Sequence, residues 1–168
     1  LAEAGYPDGF KTTIWTNDNP VRVRIAELVQ AQLKEVGVEA EVDVVEWGAY
    51  LERTAAGEHD MFILGWVTVT GDADYGLFAL YHSTQHGGAG NRTFYTNSEV
   101  DELLMIGRTS IDEAVRLDAY NKAQELIVED APQLFLYFQT QNVGMQNNIE
   151  GFRLHPAGHH KVYGVSFK

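Results

Sequence analysis

Apolar and acidic residues alternate without a break through Val38-Glu39-Ala40-Glu41-Val42-Asp43-Val44, placing aliphatics on one face and carboxylates on the other. A period of two predicts a half-buried strand. Just upstream the period lengthens: Val21, Ile25, Leu28, Val29 and Val36 recur at helical spacing. Asn17-Asp18-Asn19 supplies capping side chains, Pro20 suits the first helical position, and Gly37 supplies the stop. With Thr12-Thr13-Ile14-Trp15 read as a strand before this helix, the chain opens as a β-α-β unit. Trp47, Tyr50, Leu51 and Thr54 then share one helical face before Gly57. Asp60-Met61-Phe62-Ile63-Leu64 follows as a short apolar run, of the kind found mid-sheet where both faces are covered. The rhythm predicts an α/β fold with a mixed, mostly parallel sheet and flanking helices.

The second half breaks that rhythm. Tyr75 to Tyr81 reads as one short helix and His86-Gly87-Gly88-Ala89-Gly90 as loop. Thr96-Asn97-Ser98-Glu99 and Ser110-Ile111-Asp112-Glu113 have the form of capping boxes and predict two adjacent helices. The first turns Val100, Leu103 and Leu104 inward; the second turns Leu117, Tyr120, Ala123 and Ile127 inward before Pro132 ends it. Leu134-Phe135-Leu136-Tyr137-Phe138 has strand composition, continued less regularly through Val143 and Met145 towards Ile149, Phe152 and Leu154.

At 168 residues and 45% apolar composition the chain can bury one core, which predicts a single domain over 1–168. Its formal net charge of −12 creates a field that repels phosphate backbones and anionic headgroups, so neither nucleic acid nor a membrane surface is an expected partner. No apolar run approaches the ~20 residues that span a bilayer. Leu1-Ala2-Glu3-Ala4-Gly5 reads as the end of a helix closed by glycine, the expectation for part of a longer protein. Without cysteine, thiolate chemistry and cysteine-ligated zinc are excluded.

The densest chemistry lies in Gly65-Trp66-Val67-Thr68-Val69-Thr70-Gly71-Asp72-Ala73-Asp74-Tyr75, directly after the apolar run. Ligands of open α/β sheets bind just past the carboxyl ends of strands. Trp66 can plug the core or offer a flat apolar wall, with Thr68 and Thr70 adding uncharged hydrogen bonds. Asp72 and Asp74 can split acid and base roles, accept a ligand ammonium, or cap the helix near Tyr75. Arg92 can grip a carboxylate with its planar fork or stand in solvent, and Asn91-Arg92-Thr93 matches a glycosylation sequon. His82 and His86 are one helical turn apart but lack the glutamate of a zincin motif, and Gly87 to Gly90 lack the lysine and hydroxyl of a P-loop.

From this loop outward the chain resembles the extracellular solute-binding proteins of ABC importers, in the peptide, nickel and glutathione class. The resemblance runs in order through Ala4-Gly5-Tyr6-Pro7-Asp8-Gly9-Phe10, Leu33-Lys34-Glu35-Val36-Gly37-Val38, the Gly65-Trp66 loop, Tyr95-Thr96-Asn97-Ser98-Glu99-Val100-Asp101, and Ala123 to Pro132. It implies a periplasmic-binding-protein-like (type II) lobe, most of the C-terminal lobe of a two-lobed protein that closes on its ligand by hinge motion. It further implies a small peptide or glutathione-like ligand and importer permease subunits as partners. A monomer outside the cytoplasm, in the periplasm or as a cell-surface lipoprotein, goes with that reading, with no enzymatic activity, metal or cofactor. Any membrane attachment would run through an anchor outside these residues. The binding residues it implies are Trp66, Thr68, Val69, Thr70, Asp72, Asp74, Tyr75 and Arg92. Val69 departs from the peptide binders of the class, which commonly carry an aspartate there to pair with the ligand's amino group. The Trp66-to-Asp74 form is closer to the glutathione branch, with Asp72 or Asp74 as replacement acceptor. Two other readings stand beside it: a nickel- or haem-linked binder using His82 or His86, and a hydrolase using Asp72 and Asp74.

Overall fold

The first strand, β1 (Phe10–Thr16), lies at the centre of a three-stranded parallel sheet, and the computed structural model describes residues 1–168 apart from the side chain of Ala89. β2 (Val38–Val44) pairs with it from Phe10↔Val38 to Thr16↔Val44, and β3 (Met61–Phe62) pairs on its other side through Ile14↔Met61 and Trp15↔Phe62. The predicted mid-sheet strand at Asp60–Leu64 is therefore short and at an edge of this sheet, and β1 takes the central place. A central strand has neighbours on both sides and cover above and below, which is why Ile14, Trp15 and Thr16 are buried in succession rather than alternately. At the start of the sheet the backbones of Gly9 and Gly37 touch: a Cβ on Gly9 would stand 1.7 Å from the Gly37 carbonyl oxygen, so no larger residue fits.

The helix α1 (Pro20–Glu35) starts where Asn19 Oδ1 accepts hydrogen bonds from the Val21 and Arg22 amides, with Pro20 at its first position as predicted. Its inward face is centred on Ala26, fully buried, rather than on the larger apolar residues: Val21, Leu28 and Val36 are exposed. A methyl lets the helix axis approach the sheet, and hydrophobicity alone does not register that. The next helix, α2 (Trp47–Ala55), buries Tyr50 and Thr54, and the Tyr50 hydroxyl donates to Ile63 O at 2.8 Å, fastening the helix to the strand after it.

A second core is helical. Tyr81, from α3 (Ala73–Tyr81), packs with Val100 and Leu104 of α4 (Ser98–Thr109) and with Tyr120, Ala123 and Ile127 of α5 (Glu113–Asp130). Both predicted capping segments open helices, but the capping residues are Asn97 and Asp112, one and two positions later than the hydroxyls of the predicted boxes. Gly107 lets α5 close on α4, since a Cβ there would stand 2.6 Å from the Tyr120 ring. Leu117, predicted inward, is exposed. The connection from α3 to α4 is locked by Asn91, fully buried, whose amide donates to His82 O and Tyr95 O and whose Oδ1 accepts from Tyr95 N and Thr93 Oγ1. An asparagine so enclosed cannot present its amide for glycosylation.

After α5 the chain forms two short antiparallel pairs, β4 (Ile149–Glu150) with β7 (Ser166–Phe167), and β5 (Arg153–Leu154) with β6 (His160–Lys161). Leu134 to Phe138, predicted as a strand, is exposed and joins no ladder among the described residues. Its composition favours pleated backbone, but a strand persists only where a neighbour satisfies its amides and carbonyls.

Candidate functional site

The loop from Gly65 to Asp72 leaves the carboxyl end of β3 and enters α3. Its turn closes where Gly71 N donates to Thr68 O at 3.0 Å, and Thr70 Oγ1 accepts from Asp72 N at 3.2 Å. Asp72 is the N-cap of α3, accepting from the Asp74 amide at 2.9 Å. Its carboxylate also accepts two hydrogen bonds from Arg116 Nη2 of α5, at 2.9 and 2.8 Å. Arg116 Nη1 in turn donates to Gly107 O at 2.6 Å, so the loop, α4 and α5 meet on one guanidinium. Asp74 faces a second arginine: Oδ1, which accepts no hydrogen bond, lies 3.4 Å from Arg108 Nη1, and that guanidinium stacks over Phe78 at 4.1 Å. Neither aspartate is a free carboxylate.

What the loop leaves open is apolar and hydroxylic. Trp66, Val67, Val69 and Tyr75 are all exposed, Trp66 by 37%, so the indole does not plug the core. Its ring lies 5.3 Å from that of Tyr75 with 31° between the planes, a tilted aromatic pair. Thr68 Oγ1 stands against Gly76, where a Cβ would be 3.0 Å away.

Other residues singled out by sequence lie elsewhere. Arg92 donates from Nη1 to Leu51 O and, at 2.7 Å, to Thr54 Oγ1, which ties the α3–α4 connection to the end of α2. His82 is buried, its Nδ1 accepting from Thr84 N at 3.2 Å and lying 3.8 Å from Asp101. His86 Nε2 donates to Tyr95 O at 3.0 Å. Among the described residues no three His, Cys, Asp or Glu side chains are grouped to hold a metal ion, and no helix is long and apolar enough to cross a membrane.

Three arginines that sequence reading passed over matter here. Arg108 and Arg116 fasten the loop, and nothing in the local pattern links them to aspartates so far upstream. Arg22, in the first turn of α1, donates from Nη1 to Asn17 Oδ1 at 3.0 Å and lies 5.9 Å from the Trp47 ring. Beneath it the Tyr50 phenol is pushed up to about 12 by burial, opposed by the nearby charges of Arg22 and Arg92.

Residues 1–88 match the family model described as bacterial extracellular solute-binding proteins, family 5 (middle). The dipeptide-binding protein of Pseudomonas aeruginosa is 30% identical over 99% of this chain and 32% of its own length. Heme-binding protein A of Haemophilus influenzae is 35% identical over 99% of the chain and 31% of its own. The solved structure of the oligopeptide-binding protein AppA of Bacillus subtilis, in complex with a nonapeptide, superposes with a TM-score of 0.79 at 31% identity, over 95% of this chain and 32% of that one. The chain thus spans about a third of the length of the curated relatives it matches. The periplasmic-binding-protein-like α/β fold implied by the sequence is the fold these structures share.

Proposed function

The chain belongs to the bacterial extracellular solute-binding proteins of family 5, and on that premise we propose that it contributes one wall of a cleft that binds a small peptide or glutathione-like solute for delivery to an ABC importer. The wall is the Trp66–Tyr75 loop. Its exposed face carries Trp66, Val67, Val69 and Tyr75, while its base is fastened by the Asp72–Arg116 and Asp74–Arg108 pairs. That combination is the observation that carries the reading: apolar side chains kept in water on a rigid support are what a preformed ligand wall requires. Thr68 and Thr70 add hydroxyls beside the aromatic pair. Asp72 and Asp74 act as fasteners of the loop, and Arg92 acts on the scaffold behind it.

The function so proposed is binding without turnover. The two carboxylates that a hydrolase would use are each neutralised by an arginine, and no base or nucleophile is hydrogen-bonded to either. The remaining wall of the cleft lies in sequence outside these residues, and the working protein acts outside the cytoplasm with importer permease subunits as partners.

Isothermal titration of the full-length protein against glutathione and di- to pentapeptides tests this. Saturable binding of at least one is expected, and Trp66→Ala should weaken it while leaving the melting temperature near that of wild type. Silence across the whole series removes the proposal.

A further inference from the structure

Two buried groups at the base of the Trp66 loop have no hydrogen-bond partner among the described residues, and they are complementary. Tyr120 of α5 is 5% exposed, and its enclosed hydroxyl is bonded to no other side chain or backbone group. Asp74, in the first turn of α3, has one carboxylate oxygen, Oδ1, that is equally enclosed and accepts nothing. A phenol can donate and a carboxylate can only accept, so each group is the partner the other lacks. Both lie at one joint. A Cβ on Gly107 would stand 2.6 Å from Cζ of Tyr120, the atom that carries the hydroxyl, and the next residue, Arg108, brings its Nη1 to 3.4 Å from Asp74 Oδ1. Burial pushes the Tyr120 phenol up, and among the charges near it that of Asp74 acts most strongly in the same sense.

The two ion pairs beneath the loop differ in a way that lets one hold while the other changes. Arg116 Nη2 gives Asp72 two hydrogen bonds, at 2.9 and 2.8 Å, and Arg116 is anchored in turn on Gly107 O. That pair is a fixed point. Arg108 gives Asp74 Oδ1 no hydrogen bond, and its guanidinium has a second support in the Phe78 ring at 4.1 Å, so its place does not depend on Asp74. Asp74 can therefore change partner while Asp72 stays. The loop is what would move it: Trp66 is paired with Tyr75, next to Asp74, and Thr68 Oγ1 stands against Gly76, so a load on the exposed loop face reaches the first turn of α3. An enclosed donor and acceptor left apart each cost free energy, which closing the bond between them recovers.

We propose that Tyr120 is a positioning residue for solute binding: when a solute bears on the Trp66–Tyr75 face, the first turn of α3 moves towards α5 and the Tyr120 hydroxyl donates to Asp74 Oδ1. A ligand shifts a conformation only as far as it binds two forms differently, and the form that fits the solute is the one in which this bond is made. The inference rests on the reading of the loop as a ligand wall and names the contact behind the wall that holds it in the bound position.

The test combines two measurements that a purely structural tyrosine would move together: urea unfolding of the free full-length protein, and its titration with glutathione and di- to pentapeptides, for wild type and Tyr120→Phe. Phenylalanine keeps the ring against Gly107 and removes the hydroxyl alone. Affinity for the bound compound, per folded molecule, should fall roughly 10-fold, the scale of one hydrogen bond to a charged group. The unfolding midpoint of the free protein should stay at or above that of wild type, because the hydroxyl removed was buried and unpaired. In an Asp74→Ala background the same substitution should leave affinity within about twofold, which assigns the loss to this pair. Unchanged affinity in Tyr120→Phe overturns the inference, as does a tenfold loss that persists without Asp74. A lowered midpoint or a failure to fold also overturns it, since the hydroxyl would then be bonded in the free protein. Binding of no compound by wild type overturns the ligand-wall reading, and this inference with it.

Discussion

Replacing Asp72 separates a loop fastener from a ligand acceptor. Asparagine caps a helix about as well as aspartate, so Asp72→Asn keeps the bond to the Asp74 amide and loses only the charge facing Arg116. The two side chains are 49% and 26% exposed, which places the pair towards the surface end of the range despite its two hydrogen bonds. About 0.5–1 kcal/mol is the expected loss. Asp72→Ala removes the cap as well, a further ~1 kcal/mol, for a total of about 1.5–2 kcal/mol. Urea unfolding of the full-length protein should show this order, with the midpoint falling and the slope unchanged. Combining Asp72→Asn with Arg116→Met should give less than the sum of the single losses, the difference being the pair's coupling. Affinity per folded molecule should fall only modestly, because Asp72 holds the wall from behind. The reasoning is refuted if Asp72→Asn matches wild type in stability while binding drops by about two orders of magnitude, since the carboxylate would then be touching the ligand.

Trp66→Ala should lower affinity by about 1–3 kcal/mol while shifting unfolding by less than ~1 kcal/mol; a collapsed melting temperature with affinity intact would make Trp66 a core residue. Asn91→Ala should cost about 1–3 kcal/mol, because it leaves the Tyr95 amide without its acceptor and takes one of two donors from each of His82 O and Tyr95 O. Equal midpoints for the two proteins would show those bonds to be replaceable. Burial holds the His59 imidazole below its ordinary 6.5, beyond what the nearby Asp60 charge restores. The unfolded chain therefore takes up this proton first as pH falls, so the His59 contribution is complete above 6.5 and is lost below it. Melting temperatures between about pH 5 and 8 should fall less steeply on acidification for His59→Gln, and parallel curves would contradict this.

Element types were legible wherever one segment carried its own instructions. The alternation at Val38–Val44, the Asn19-Pro20 entry to α1 and the two capping segments each appear as predicted, with caps displaced by one or two residues because several side chains there can cap. Which face turns inward was legible only in part. Leu28 and Leu117 look like core residues by size, but the helices approach through Ala26 and Gly107, and close approach is set by the smallest residue at a crossing. The loop itself was visible from composition. The state of its carboxylates was not, because an aspartate reads the same whether it faces a ligand or an arginine 44 residues along the chain.

By itself the sequence determined the β-α-β opening, the helical hairpin behind it and the place of the Trp66 loop at the end of a strand. Those depend on periodicity and capping, which are relations between residues a few positions apart. Only the tertiary structure decided that Asp72 and Asp74 are paired with arginines, that Arg92 bonds to Leu51 and Thr54 and that Asn91 is enclosed. It also decided that β1 is central and that Leu134–Phe138 is without a partner strand among the described residues. The ion pairs, the Arg92 bonds and the strand order are contacts between segments far apart in the chain, and such contacts exist only once packing has brought those segments together.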